Sequence, residues 1–150
     1  MKKLLVLCEV FVLCLLATFQ INAQSRKAVS GADVTGTFRE SASGSEFSIL
    51  ALGKGRLRIA FSGVYPYKLA NGEDTANTGE AIGEAEIRGD TATFTPEEFQ
   101  ECAITLKFLT RGRLKVTQMG SDAECGFGNN VSADGTYKKV SAKKPRFAAK

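Results

Sequence analysis

The chain contains no histidine and no tryptophan, and only three prolines and four cysteines among its 150 residues. Without histidine there is no Ser-His-Asp or Cys-His arrangement, and the commonest general acid–base is missing. A structural zinc wants four ligands, so two thiolates without imidazole cannot hold one. The net charge of +4 is small and shows no basic stripe along the sequence, which gives no argument for nucleic acid. "GFGNNV" at Gly126–Val131 supplies only the first two glycines of a dinucleotide fingerprint, and no Walker-type loop occurs. Carboxylates remain, at Glu80, Glu84 and Glu86 and at Glu97, Glu98 and Glu101. A glycosidase needs two facing each other across a sugar, whereas a period-two strand sends Glu84 and Glu86 to one wet face. Asp122, Glu124, Asn129, Asn130 and Asp134 gather oxygens without the spacing of a calcium loop, and turns favour Asp and Asn for backbone reasons. The expectation is a protein that is not an enzyme and holds neither cofactor nor metal.

Most of what is long and apolar lies at the start. Lys2 and Lys3 precede an apolar run from Leu4 to Phe19, followed by the polar "QINAQS". This pattern predicts a signal peptide over 1–23, with Gln24 as the new first residue. The run of roughly 16 residues, broken by Glu9, falls short of the ~20 that span a bilayer. Cys8 and Cys14 each follow leucine, which argues against a lipoprotein. Loss of 1–23 removes Lys2, Lys3 and Glu9 and leaves 18 basic and 15 acidic residues, a formal charge of +3. The predicted location is the periplasm or the outside of the cell. Residues 24–32 read as a linker, 33–140 as one domain, and 141–150 as a basic tail.

Within that domain the hydrophobic pattern has period two. Phe47, Ile49 and Ala51 share one face, as do Leu57, Ile59 and Phe61. So do Cys102, Ile104, Leu106 and Phe108, and then Leu114 and Val116. Such alternation marks strands with one face buried and one wet. Turn signals separate them: "LGKGR", "ANGED", "RGDT", "TRGR" and "SADG". About eight short strands at this spacing predict an all-β domain, a small antiparallel barrel or a sandwich. One helical turn is expected near 96–100, with Thr95 as N-cap and Glu98 completing a capping box. "GTF" at Gly36–Phe38 and "GTY" at Gly135–Tyr137 open the first and last strands. Pairing those two strands would close the sheet and remove its edges, with Tyr137 beside Phe38.

Cys102 and Cys125 remain as one pair, and in an exported chain an isolated pair is oxidised. Between Cys125 and the last strand, "CGFGNN" reads as an ordered lid, with Phe127 a plug on the core or else a contact residue. Tyr65 and Tyr67, either side of Pro66 and next to the Asn71–Gly72 turn, are the other adaptable contact residues. The candidate binding surface is therefore Tyr65, Tyr67, Phe127, Asn129 and Asn130.

The "GTF" motif, the series of short strands and one disulfide near the closing strand together resemble small exported barrels of the lipocalin-like (calycin) kind. That resemblance implies a binding role, although a lipocalin would place a tryptophan in its first motif and this chain has none. Bacterial lysozyme inhibitors are likewise small periplasmic barrels with a disulfide, but a +3 chain would meet a basic lysozyme with like charge. Two functions follow as expectations. One is a binding or inhibitor-type module for a protein, glycan or small apolar ligand. The other is a cell-envelope protein whose basic tail leans on an anionic surface.

Overall fold

Where apolar residues alternate, the chain forms strands. The computed structural model describes residues 28–147, so the expected signal peptide lies outside the described residues. A short helix α1 (Gly31–Val34) leads into β1 (Gly36–Arg39), β2 (Glu46–Gly53), β3 (Arg56–Lys68) and β4 (Asp74–Arg88). The chain continues through β5 (Thr91–Phe94), β6 (Ala103–Leu109), β7 (Arg113–Met119) and β8 (Gly135–Ser141). Each strand pairs with the next and β8 returns to β1, giving a closed antiparallel barrel of eight strands. Of the two architectures the alternation permits, the barrel is the one formed.

The seam between β1 and β8 corrects one expectation. Phe38 stands opposite Lys139 and Arg39 opposite Lys138, with a bulge beside Thr37. Tyr137 instead lies opposite Leu114 of β7 and packs edge-on against Phe47 at 4.9 Å between ring centres. The reason is directional. Antiparallel strands bring two copies of a motif together end to end rather than residue for residue, and the register formed here sets Tyr137 beyond the last β1–β8 rung, Arg39↔Lys138. Gly36 ends beside Ser141, where a Cβ would collide with the Ser141 carbonyl, while Gly135 pairs with Val116 near the other end.

The barrel interior is filled. Phe38, Phe47, Phe61, Phe94, Phe108 and Tyr137 are buried together with the aliphatic side chains predicted to point inward, except Ala51, which is half-buried at the end of β2. Burying each large side chain contributes roughly 1.5–3 kcal/mol relative to leaving it in water. The inward face of β4 is small throughout, with Gly79, Ala81, Gly83 and Ala85. Rings from elsewhere occupy that space: a Cβ on Gly83 would come within 2.8 Å of Phe94.

The helical turn expected at 96–100 is not there. Phe99 N–H donates to Pro96 O (3.2 Å) and Cys102 N–H to Phe99 O (3.2 Å), two successive turns. Glu97 N–H is taken by Ile82 O of β4 (3.1 Å), which ties the segment to the sheet. A capping box does form, at Ser30 and Asp33, in front of α1. Residues at the end of the stretch read as a linker thus belong to the fold. Val29 packs against the core, its N–H donates to Gly89 O (3.2 Å), and Val34 is buried. This end of the barrel, with the β6–β7 turn and the end of β8, is here the tail end. The opposite end is the mouth.

Candidate binding surface at the barrel mouth

The longest pairing in the molecule builds the mouth. β3 and β4 stay in register from Arg56↔Glu86 to Lys68↔Asp74. β2 accompanies β3 only as far as Ser62. Beyond that rung the hairpin has no neighbouring strand on the β2 side. The buried Ser45 hydroxyl serves the next backbone position, accepting from Val64 N–H (3.0 Å) and donating to Val64 O (3.4 Å). Pro66 then offers no N–H, so this edge cannot template a further strand.

Alternation carries the inward face of β3 past the rim. Leu57, Ile59, Phe61 and Gly63 are buried on it, and Tyr65 and Tyr67 follow with 41% and 40% exposure. They stand opposite Asn77 and Thr75. Both rings occupy core-facing positions on a part of the hairpin that has outrun the core. That is why they are wet.

The loop after β7 seals the barrel beneath them. Cys125 is bonded to Cys102 at the entrance to β6. Asp122 latches the loop: its carboxylate accepts from Asn130 N–H (2.8 Å) and its carbonyl from Phe127 N–H (2.8 Å). Gly128 N–H donates to Thr78 O of β4 (2.9 Å), and Asn77 Nδ2 donates to Asn129 O (2.7 Å). Phe127 is buried with its ring 5.2 Å from that of Phe61, and Val131 is buried over Gly63. Asn129 and Asn130 stay exposed.

Four of the five residues proposed from the sequence therefore gather at one end. Asn77 ties the Tyr65 rung to Asn129, and Tyr67 lies two rungs farther out. Phe127 sits under this surface as its plug. A depression of about 250 Å³ opens between Tyr65, Asn130, Ser132, Asp134, Glu40 and Ser43. Ser43 N–H (2.6 Å) holds the Glu40 carboxyl below its ordinary range, with help from Ala42 N–H (2.9 Å) and the Ser43 hydroxyl. Tyr137 closes the floor and donates to Ala133 O (2.9 Å). Burial first, then the charges of Glu40 and Asp134, push its phenol far above the usual range. It can donate a hydrogen bond but cannot serve as a base. The depression can hold hydroxyl or amide groups beside the ring of Tyr65.

The oxygen-rich residues of this loop act on its own backbone. Asp134 accepts from Gln118 N–H (2.7 Å) and Glu124 from Ser121 N–H (2.6 Å). Among the described residues no three His, Cys, Asp or Glu are grouped to hold a metal ion. A second groove, of about 400 Å³, lies outside the barrel over Ser48, Ala60 and Ile82, flanked by Glu46, Glu80, Glu97 and Glu98. Arg39 pairs with Glu46 there, and Arg58 with Glu97 (2.8 Å).

Sequence reasoning missed Ser45 and Glu40, and read Asp122 as a turn residue without its partners Phe127 and Asn130. Each is a polar residue whose partner is backbone made near by the fold, at Val64, at Asn130 and within the Glu40–Ser43 turn. A local Asx or Ser signal existed at Asp122 and Ser45 but not at Glu40, whose turn alone has its partners close in sequence. No family model, curated protein or solved structure matches this chain.

Proposed function

We propose that the protein is an exported, non-enzymatic binding module that meets its partner with the mouth rather than with the barrel interior. The observation that carries this reading is the overhanging β3–β4 hairpin, with two half-exposed tyrosines on a face continuous with the core. Tyrosine gives large, rigid contact area with a polar tip at small conformational cost. The filled interior favours a protein or glycan at the rim over an apolar ligand in a cup, and so narrows the likeness to lipocalin-like barrels to shared architecture. The Cys102–Cys125 bond supports passage through an oxidising compartment.

A photo-crosslinking residue in place of Tyr65, introduced in the producing cell, tests the reading. An adduct is expected there and none at Lys54, in the β2–β3 turn at the other end. Equal adducts at both sites, or none at Tyr65, would refute the mouth. Mass spectrometry of the secreted product should show loss of residues 1–23. An intact amino terminus in a membrane fraction would refute export by a cleaved signal.

A further inference from the structure

The charges of this barrel are sorted by side. On the half made by β1, β3 and β4, Arg39, Arg56, Arg58, Lys68 and Arg88 each have a carboxylate partner within 4.0 Å. The three strands β6, β7 and β8 contain no acidic residue at all. Their exposed cations fall in two adjacent rungs: Lys107 opposite Lys115, and Arg113 opposite Lys138. None of these four has an ion pair among the described residues. Like charges directly opposite in an antiparallel pair are destabilising. Two such rungs side by side are a local conflict that the packing of the sheet does not need, since all four side chains point to solvent.

The same end collects further cations. Arg111 is exposed in the β6–β7 turn, and β8 leaves the barrel here into a tail with Lys143, Lys144 and Arg146. We infer that this face and the tail together form one docking surface for an anionic phospholipid bilayer, with the mouth directed away from it. This specifies the envelope-attachment reading and is independent of the mouth. Three features select a bilayer. Most of the surface is the broad outer face of a sheet, and only at its tail end do Arg111 and Arg113 border a cavity of about 610 Å³, beside Asp33 and Asp90. Val140, 53% exposed, lies among the cations on the same face of β8, and the tail adds Phe147, which suits the boundary between head groups and acyl chains. The aromatic residues of these strands, Phe108 and Tyr137, are buried, so the face lacks the stacking platform that single-stranded nucleic acid needs.

Each lysine or arginine near an anionic membrane strengthens binding on the order of five-fold, and salt weakens it. The test is co-sedimentation of the full chain with phosphatidylcholine vesicles, with and without phosphatidylglycerol, over a range of salt. Binding should require the anionic lipid and fall steeply with salt. Lys107→Glu with Arg113→Glu gives Lys115 and Lys138 opposite charges as partners, so the melting temperature should hold or rise. Vesicle binding should nevertheless drop by well over a hundred-fold. Lys68→Glu, at the mouth, should leave vesicle binding within about two-fold, because it lies beyond a Debye length of ~10 Å from the docked face. Removing residues 142–150 tests the tail without touching a strand, and should weaken binding while the folded barrel remains. Equal binding to both vesicles, or no loss in the double variant, overturns the inference. So does tighter binding of a DNA duplex or a soluble polyanionic glycan without vesicle binding. Self-association at low salt without vesicle binding would overturn it too, and would assign the basic face to the acidic groove of a second copy.

Discussion

The ring of Phe127 rests directly on the backbone of Gly79: a Cβ added at Gly79 would lie 2.7 Å from Phe127 Cδ1. One residue away, Gly128 N–H donates to Thr78 O (2.9 Å). Lid and strand are thus joined by an apolar contact and a backbone bond on the side of β4 that no strand covers there. Glycine at 79 is required by the ring, and the ring is required by the open end of the barrel.

Removing either partner should therefore be costly, and removing both less so than the sum. Phe127→Ala should destabilise by about 3–5 kcal/mol through the cavity it leaves. Gly79→Ala should destabilise by about 1–3 kcal/mol through overpacking. In the double variant the new methyl enters the vacated space, so urea unfolding should give a combined loss clearly below additivity. Full stability of Phe127→Ala would mean that the ring is no plug.

The Cys102–Cys125 bond closes a sequence separation of 23 residues. Restricting the unfolded chain by that loop should contribute about 3–4 kcal/mol in the entropy model. Thiol labelling of the denatured, unreduced protein should find neither of these cysteines free. Reduction should shift the unfolding midpoint down, and an unshifted midpoint would show that the lid is held by packing alone.

Ser45→Ala deletes one buried hydroxyl and leaves two part-buried backbone groups of Val64 without their partner. Val64 N–H loses its acceptor at 3.0 Å, with no strand beside it to substitute. An unsatisfied buried donor costs about 1–3 kcal/mol, and the overhanging hairpin should loosen first. Faster amide exchange at Val64, with little change at Ile59 in the core, would mark this origin. Unchanged exchange at Val64 would show that water takes the place of the hydroxyl.

Tyr137 makes the fold sensitive to alkali. Its folded pKa is raised above the ordinary 10.0 by burial and by Glu40 and Asp134. The unfolded chain therefore releases this proton at lower pH than the folded one. The contribution of Tyr137 to stability is fully present below the ordinary value and is lost as pH rises through and above it. Tyr137→Phe should be somewhat less stable at neutral pH, where Ala133 O loses its donor. Its stability should then fall less between neutral and strongly alkaline pH than that of the wild type, and parallel falls would contradict the assignment.

The strands were legible because their chemistry is local. Ile104, Leu106 and Phe108 alternate with polar neighbours whatever lies across the sheet, and alternation alone assigns which side chains face the core. The glycine-rich lid was legible for a similar reason, since Cys125 and Phe127 are apolar residues in a segment with no other cause to bury them. The helical turn near 96–100 failed because Pro96 O, which a helix would give to the Gln100 backbone N–H, accepts from Phe99 N–H in a tight turn. So short a segment cannot offset helix nucleation.

Sequence alone determined the all-β class, the cysteine pair and the inward residues of the alternating strands, such as Ile59, Leu106 and Leu114, because their burial follows from the order of apolar and polar residues. Register needed the tertiary structure, because alternation along β1 and β8 fits several pairings equally and only the closed sheet decides that Phe38 meets Lys139 and not Tyr137. Charge segregation needed it too. Lys107 and Lys115 are ordinary outward residues in their own strands, and Glu80, Glu84 and Glu86 are ordinary in theirs. A basic side and an acidic side exist only because closing eight strands into a barrel turns neighbours in the sheet into opposite faces of the molecule.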